Sequence, residues 1–211
     1  LIAEDPKSAE VIKPLLAGRD IKRYQPPYSK KYLIFTKHGV NIEKYAAIRN
    51  YLAQFKERLM PRPKDWKEGK WPGRKPGSYQ WYEIQDTIDY YGEFEKPKII
   101  VPAIVQSASY AFDTDGFYSN DKTTIIPTSN MYLLGLISSK LIDFYIHSIS
   151  STKQGGYFEY KPMYISKLPI RTIHFDNPAD VTRHDRMVGL VDHMLELNRK
   201  LAESKIPAAR E

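Results

Sequence analysis

Hydrophobic positions in this chain fall into short blocks, and their spacing switches between alternation and three- to four-residue steps. Val11 to Leu16 reads as a short extended segment, and Gly18 supplies a backbone bend before Ile21. Tyr32 to Thr36 reads as a strand. Asn41 then caps a helix expected from about Ile42 to Leu59, because Tyr45, Ile48, Leu52, Phe55 and Leu59 recur at helical intervals. Between Pro61 and Gly77, prolines, glycines and lysines crowd together, so a long loop is expected there. Aromatic residues return over Tyr79 to Ile84, and Lys98 to Pro102 reads as a buried strand that the proline ends or places at an edge.

Further along, an aspartate–glycine turn within Ala111 to Tyr118 predicts a hairpin, and Thr123 to Ile126 offers another strand. A helix is expected from Met131 to about Ile149, with Leu133, Ile137, Leu141, Phe144 and Tyr145 on its core side. Residues 150 to 156 form the polar loop that ends it. Asn177 and Pro178 supply the cap and first-turn proline of a last helix reaching about Ser204. Along it Met187, Leu190, Met194, Leu197 and Leu201 make a heptad-like seam. The expected class is α+β: a mixed, largely antiparallel sheet packed with helices, plus a long C-terminal helix. The expected division is a main domain over residues 1–175 and a spacer or docking helix over 177–205.

Composition narrows the chemistry. The chain has 211 residues and no cysteine, which removes disulfides, thiolate zinc sites and a cysteine nucleophile and fits a reducing, cytoplasmic setting. Its five histidines show neither i,i+4 pairing nor an HExxH pattern, so no metal site is expected. No segment has the roughly 18 uninterrupted apolar residues of a membrane helix, and the amino end carries no signal segment, so a soluble protein without a membrane partner is expected. Leu1 stands where an initiator methionine belongs, which suggests a part of something longer.

Net charge is +7, and five of those charges lie between Lys56 and Gly77, where eight basic residues face three acidic ones. Such a surplus favours a polyanionic partner. Arg62, Lys64, Lys67, Lys70, Arg74 and Lys75 suit phosphates, and flat rings such as Trp81 stand among and beside them. Sequence readout needs amides or guanidinium groups at base edges, which makes Gln80, Gln85, Gln106 and Gln154, with Lys153 beside the last, the candidate readers. The plainer explanation of the loop is a solvated charged face whose Trp66, Trp71 and Trp81 anchor it to the core.

Catalytic signatures are weak. Gln25-Pro26-Pro27-Tyr28 mimics the polar-Pro-Pro-aromatic loop of a methyltransferase, but no glycine-rich cofactor turn precedes it. Glu68-Gly69-Lys70, with Asp65 nearby, superficially offers a nuclease-like acidic-x-lysine pattern, yet it sits in a glycine–proline loop without a strand to fix its geometry. No catalytic residue and no bound cofactor are therefore assigned to these residues.

Several segments resemble the TaqI-like C-terminal specificity domain of type IIG restriction–modification enzymes and related adenine-N6 methyltransferases. Ile12 to Tyr24 resembles that family's opening motif, Tyr32-Leu33-Ile34 the strand after it, and Trp81-Tyr82-Glu83 its aromatic–acidic element. Lys96 to Ile100, Tyr132 to Leu141 and Lys167-Leu168-Pro169-Ile170 are similar to its central strand, leucine-rich helix and closing segment. His184 to Val188, with Met194 to Leu197, looks like the helix that follows the recognition domain.

The resemblance implies that residues 1–175 are a DNA target recognition domain that grips double-stranded DNA and selects the site. Catalysis then belongs to a methyltransferase domain elsewhere on the same polypeptide, which binds S-adenosylmethionine, methylates adenine and in some members is joined by an endonuclease. Under this reading Arg19 and Asp20 brace the fold or the domain junction rather than touch bases. The rivals are a protein-interaction module working through the heptad-like helix, an independent nuclease, and a module for RNA or single-stranded DNA.

Overall fold

The computed structural model describes residues 1–25, 27–67 and 69–204. Pro26 of the Gln25–Tyr28 segment, Glu68 of the acidic-x-lysine pattern and residue 205 at the expected end of the last helix lie outside the described residues. The chain divides into two compact units, one of residues 1–14 and 31–91, the other of 15–30 and 92–211.

In the first unit, Ile12 to Pro14 of β1 (Ile12–Leu16) pair antiparallel with β2 (Tyr32–Ile34). The helix expected over 42–59 is broken into three pieces. A 3₁₀ turn over 42–44, which Asn41 caps by accepting from the Glu43 amide, leads into α1 (Ala46–Ala53) and then α2 (Lys56–Leu59). Val11, Ile42, Tyr45 and Ile48 form the core here, whereas Phe55, at the break, is exposed. The stripe therefore holds only while its residues can reach β1 and β2.

In the second unit, β3 (Lys98–Pro102) is buried along its whole length. Alternation sends Ile99 and Val101 to one face and Ile100 to the other, where Leu16, Ile21 and Ala111 await it. Full burial on both faces explains the near-continuous apolar run, and Pro102 ends the strand. After β3 come β4 (Ile104–Val105), β5 (Ala111–Asp113), β6 (Tyr118–Ser119) and β7 (Thr123–Pro127). Strands β5 and β7 flank β3 antiparallel, while β6 pairs parallel with the end of β1.

The expected 111–118 hairpin does not form, because β5 and β6 join different partners. The Asp115-Gly116 turn does exist, with Gly116 at φ 72°. It is closed by Asp113, whose carboxylate accepts from the amides of Asp115 (2.9 Å) and Phe117 (3.0 Å) and holds the buried Lys98 ammonium.

The expected helix over 131–149 is two helices, α3 (Met131–Ile137) and α4 (Lys140–Ile149), because the Ser139 hydroxyl caps a new start at the Ile142 amide. This break shifts the phase. Ile142 and Ile146 face the core, and Leu141 and Phe144 are each 74% exposed, so the expected core side is corrected beyond Ile137. The expected loop after it contains β8 (Thr152–Lys153), which turns through Gly155 and Gly156, both at positive φ, into β9 (Tyr157–Glu159). Strand β9 in turn pairs with β4.

Helix α5 (Pro162–Ile165) precedes α6 (Pro178–Glu203), which Asn177 caps. α6 packs on α3 at Gly135, where an added Cβ would stand 2.7 Å from Met187 Sδ and 2.8 Å from Val191 Cγ2. Mixed helices and small, mostly antiparallel sheets with a long last helix are the α+β class expected. No described helix is long and apolar enough to cross a membrane.

Candidate nucleic-acid interface

Among its described residues the basic loop of the first unit has no helix or strand between its flanks, yet its base is tied down. Arg74 reaches back to donate to the carbonyls of Leu59 (2.7 Å), Glu83 (2.7 Å), Gln80 (3.2 Å) and Trp81 (3.0 Å). Its guanidinium lies 4.4 Å from the centre of the Tyr79 ring. Burial lowers its pKa from the ordinary arginine value against the pull of Tyr79 and Glu83. The two ends of the loop also meet through backbone, the Arg62 amide donating to Arg74 O and the Arg74 amide to Met60 O.

Two aromatic and one acidic residue complete this base. Trp71 donates its indole N–H to Met60 O at 3.1 Å and meets Trp66 edge-on at 4.9 Å. Gly73 allows that approach, since a Cβ there would lie 2.3 Å from Met60 O. Glu83 is buried and accepts from the amides of Gly39 (2.6 Å) and Gln80 (2.8 Å). On this fixed base Arg62, Lys64, Lys67, Lys70 and Lys75 are exposed, as is the side chain of Gln80. Trp81 is half-buried, edge-on to Tyr82, with Lys56 Nζ 5.4 Å from its ring.

In the second unit the β8–β9 turn gathers the remaining candidates. Gln106 donates its amide to Gly155 O at 3.0 Å, which places it beside Gln154 at the exposed tip. Lys153 pairs with the buried Glu159 at 3.0 Å, and Lys161 pairs with the same carboxylate at 2.8 Å. Hydrogen bonds from Lys161 and Lys153 hold Glu159 below the usual carboxylate range despite its burial.

Residues 13–170 match the TaqI-like C-terminal specificity domain family, about three-quarters of the chain. The chain belongs to that family. Among solved structures, the specificity domain is similar to part of the type IIL restriction–modification enzyme MmeI, whose structure is in complex with DNA. The TM-score is 0.56 at 14% identity, over 90% of this chain and 24% of that one. At that identity the likeness is one of fold, and the chain spans about a quarter of that enzyme's length. No curated protein sequence matches it.

The specificity domain thus brings the candidates together in two groups. Arg62, Lys64, Lys67, Lys70, Arg74, Lys75, Gln80 and Trp81 share one unit, and Gln106, Lys153 and Gln154 share the other. Within the first group Arg74 differs from its neighbours, since its donors serve backbone carbonyls on both flanks of the loop. Sequence reasoning also placed Arg19 and Asp20 together as braces. Asp20 does accept from the Ala17 amide at 2.8 Å, but the Arg19 side chain is 81% exposed. Arg19, Lys22 and Lys122 line one pocket, a grouping invisible along the chain because the β1–β6 pairing creates it.

Proposed function

We propose that this specificity domain recognises double-stranded DNA for a restriction–modification enzyme. The observation that carries the reading, beside family membership, is the loop of exposed cations held on a rigid base by Arg74. A surface of that kind neutralises phosphates without folding on binding, so the ordering cost is low. Arg62, Lys64, Lys67, Lys70 and Lys75 set affinity, and Trp81 offers an aromatic edge beside them. Gln80, Gln106 and Gln154 carry the amides suited to base edges.

The parent enzyme in this reading methylates adenine at N6, in the manner of type IIG systems, some of which also carry an endonuclease. In this reading S-adenosylmethionine is bound by a catalytic domain of the same polypeptide, as in the enzymes the family's motifs resemble. This domain then places the duplex while the catalytic domain extrudes the adenine.

The test is duplex binding by the purified chain across a salt series, with single-stranded DNA and RNA as competitors. Salt-sensitive preference for duplex supports the reading, and selection from a random library then gives the site. Methylation of adenine at that site by the parent enzyme tests the finer assignment.

One observation favours a second reading, a protein-interaction module. Leu190, Met194 and Leu197 of the heptad-like seam are exposed, because α6 packs through Met187, Val191 and Leu195 instead. Salt-insensitive capture of a protein partner, without duplex affinity, selects that reading.

A further inference from the structure

The second unit holds an open pocket of about 590 Å³ that neither the sequence pattern nor the basic loop accounts for. Arg19, Lys22 and Lys122 supply its charge, Gln106 and Asn120 its amides and Tyr157 an aromatic wall. Among the described residues lining it there is no carboxylate. Clefts with one sign of charge over apolar walls focus the field and concentrate counter-ions of the other sign.

The fold builds this pocket deliberately at the backbone level. Gly18 lets the 3₁₀ turn over 18–20 press against the next loop, since a Cβ there would stand 2.9 Å from Lys122 O. That same carbonyl accepts from the Ala103 amide at 2.8 Å, so three segments meet at one oxygen. Asp20 closes the 3₁₀ turn by taking the Ala17 amide, and the Arg19 side chain is left in solvent.

The amides are oriented as well. Asn120 Oδ1 accepts from the Lys122 amide at 3.2 Å, which leaves the Asn120 nitrogen as a donor. Gln106 uses one N–H on Gly155 O, which leaves its oxygen as an acceptor. A donor and an acceptor beside three cations are the chemistry of a phosphate with a base edge near it. The existing ion pairs do not block it. Lys122–Asp121 is 67% and 74% exposed, and the Arg19–Asp20 contact is long at 3.9 Å. Exposed pairs of this kind are weak and yield to a phosphate.

We propose that this pocket is a second contact site for double-stranded DNA, in which Arg19, Lys22 and Lys122 hold backbone phosphates while Asn120 and Gln106 read an adjacent base edge. The proposal rests on the DNA-recognition reading above and adds to it three phosphate contacts in the second unit and a further reader, Asn120, beside Gln106.

The experiment compares the chain with a Arg19→Ala/Lys22→Ala/Lys122→Ala variant, an Asn120→Ala/Gln106→Ala variant and a Lys70→Ala/Lys75→Ala loop variant. Duplex affinity is measured across salt, and site preference by selection from a random library. The triple variant is expected to lose about 0.9 of log–log salt slope per phosphate contact and to bind about tenfold weaker or worse. The amide variant is expected to keep the slope and relax preference at one or two positions.

Far-ultraviolet circular dichroism and melting check each variant's fold, and Arg19→Lys/Lys122→Arg keeps the charge and should keep the slope. If the loop variant weakens binding but the triple and amide variants match the parent, the pocket proposal is overturned and the DNA reading stands. If a 5′-mononucleotide saturates the pocket while the triple variant still binds duplex normally, the pocket is a small-anion site and the proposal fails. Absence of duplex binding by the parent chain at low salt overturns the DNA reading and this proposal with it.

Discussion

Replacing Arg74 separates stability from charge within one stretch of similar side chains. Its guanidinium makes four hydrogen bonds to backbone carbonyls, three of them part-buried and the one to Gln80 exposed. A hydrogen bond involving a charged group contributes about 1.5–3 kcal/mol when well enclosed. Here the site is half-buried and water recovers part of each loss, so about 1 kcal/mol for each of the three part-buried bonds is reasonable. Arg74→Ala should therefore cost roughly 3 kcal/mol, a fall in melting temperature of about 6–12 °C for a chain of this size. Arg74→Lys should recover little of it, because an ammonium cannot span four divergent acceptors.

Lys70→Ala and Lys75→Ala, by contrast, should stay within about 0.5 kcal/mol of the parent. The assay is thermal unfolding together with hydrogen exchange of amides 62 and 74, which close the loop's neck through Arg74 O and Met60 O. Arg74→Ala should expose both amides to exchange. If they stay protected and the melting temperature moves by less than about 2 °C, Arg74 does not organise the loop and the reasoning fails.

Other consequences follow from the same structure. Lys70→Ala/Lys75→Ala should weaken duplex binding similarly for all sequences and lower the salt slope by about 0.9 per lost contact; an unchanged slope removes the loop from the interface. Asp113→Ala strands the fully buried Lys98 and should cost about 3–5 kcal/mol by urea unfolding; Lys98→Met/Asp113→Leu should recover only part of that, because the Asp115 and Phe117 amides still lose their acceptor. Gly135→Val drives a side chain into Met187 and Val191, and a loss of about 1–3 kcal/mol with reduced protection of α6 amides is expected; full protection argues against close α3–α6 packing. Burial alone would raise the Asp180 pKa, but the His174 amide, Arg171 and Arg183 outweigh it and lower it. Its stabilising effect is then present above the unfolded carboxylate pKa and lost as pH falls through the lowered folded value, so Asp180→Asn should flatten the acid limb of a stability–pH curve.

The parts of the fold that were legible are those whose signals are local. Strand β3 is five consecutive buried residues ended by a proline, and α6 begins where an asparagine cap meets a proline. The 111–118 hairpin misled because the sequence advertises the Asp115-Gly116 turn but not the partner of Asp113, the ammonium of Lys98. The split at Ser138-Ser139 misled because an apolar run reads as one helix until a serine is seen to cap a second. Charge clustering found the loop and the family's motifs found the domain. Arg74 could not be told from Lys75, since its acceptors are backbone carbonyls, which leave no trace in residue type.

Separating the tied base from the exposed cations has a further consequence for how such a domain changes its preference. Arg74, Gly73, Trp71 and Glu83 hold the loop through backbone atoms, so the identities of Arg62, Lys64, Lys67, Lys70 and Lys75 are not needed to keep its shape. The β8–β9 turn is arranged likewise: Gly155 and Gly156 supply the positive φ, while the Gln154 side chain is exposed. Substitutions at the exposed positions then act on affinity and preference with little effect on folding, and substitutions in the base act on folding first. A domain whose task is to distinguish one DNA site from another gains from that arrangement, because the surface it varies is not the surface it needs in order to fold.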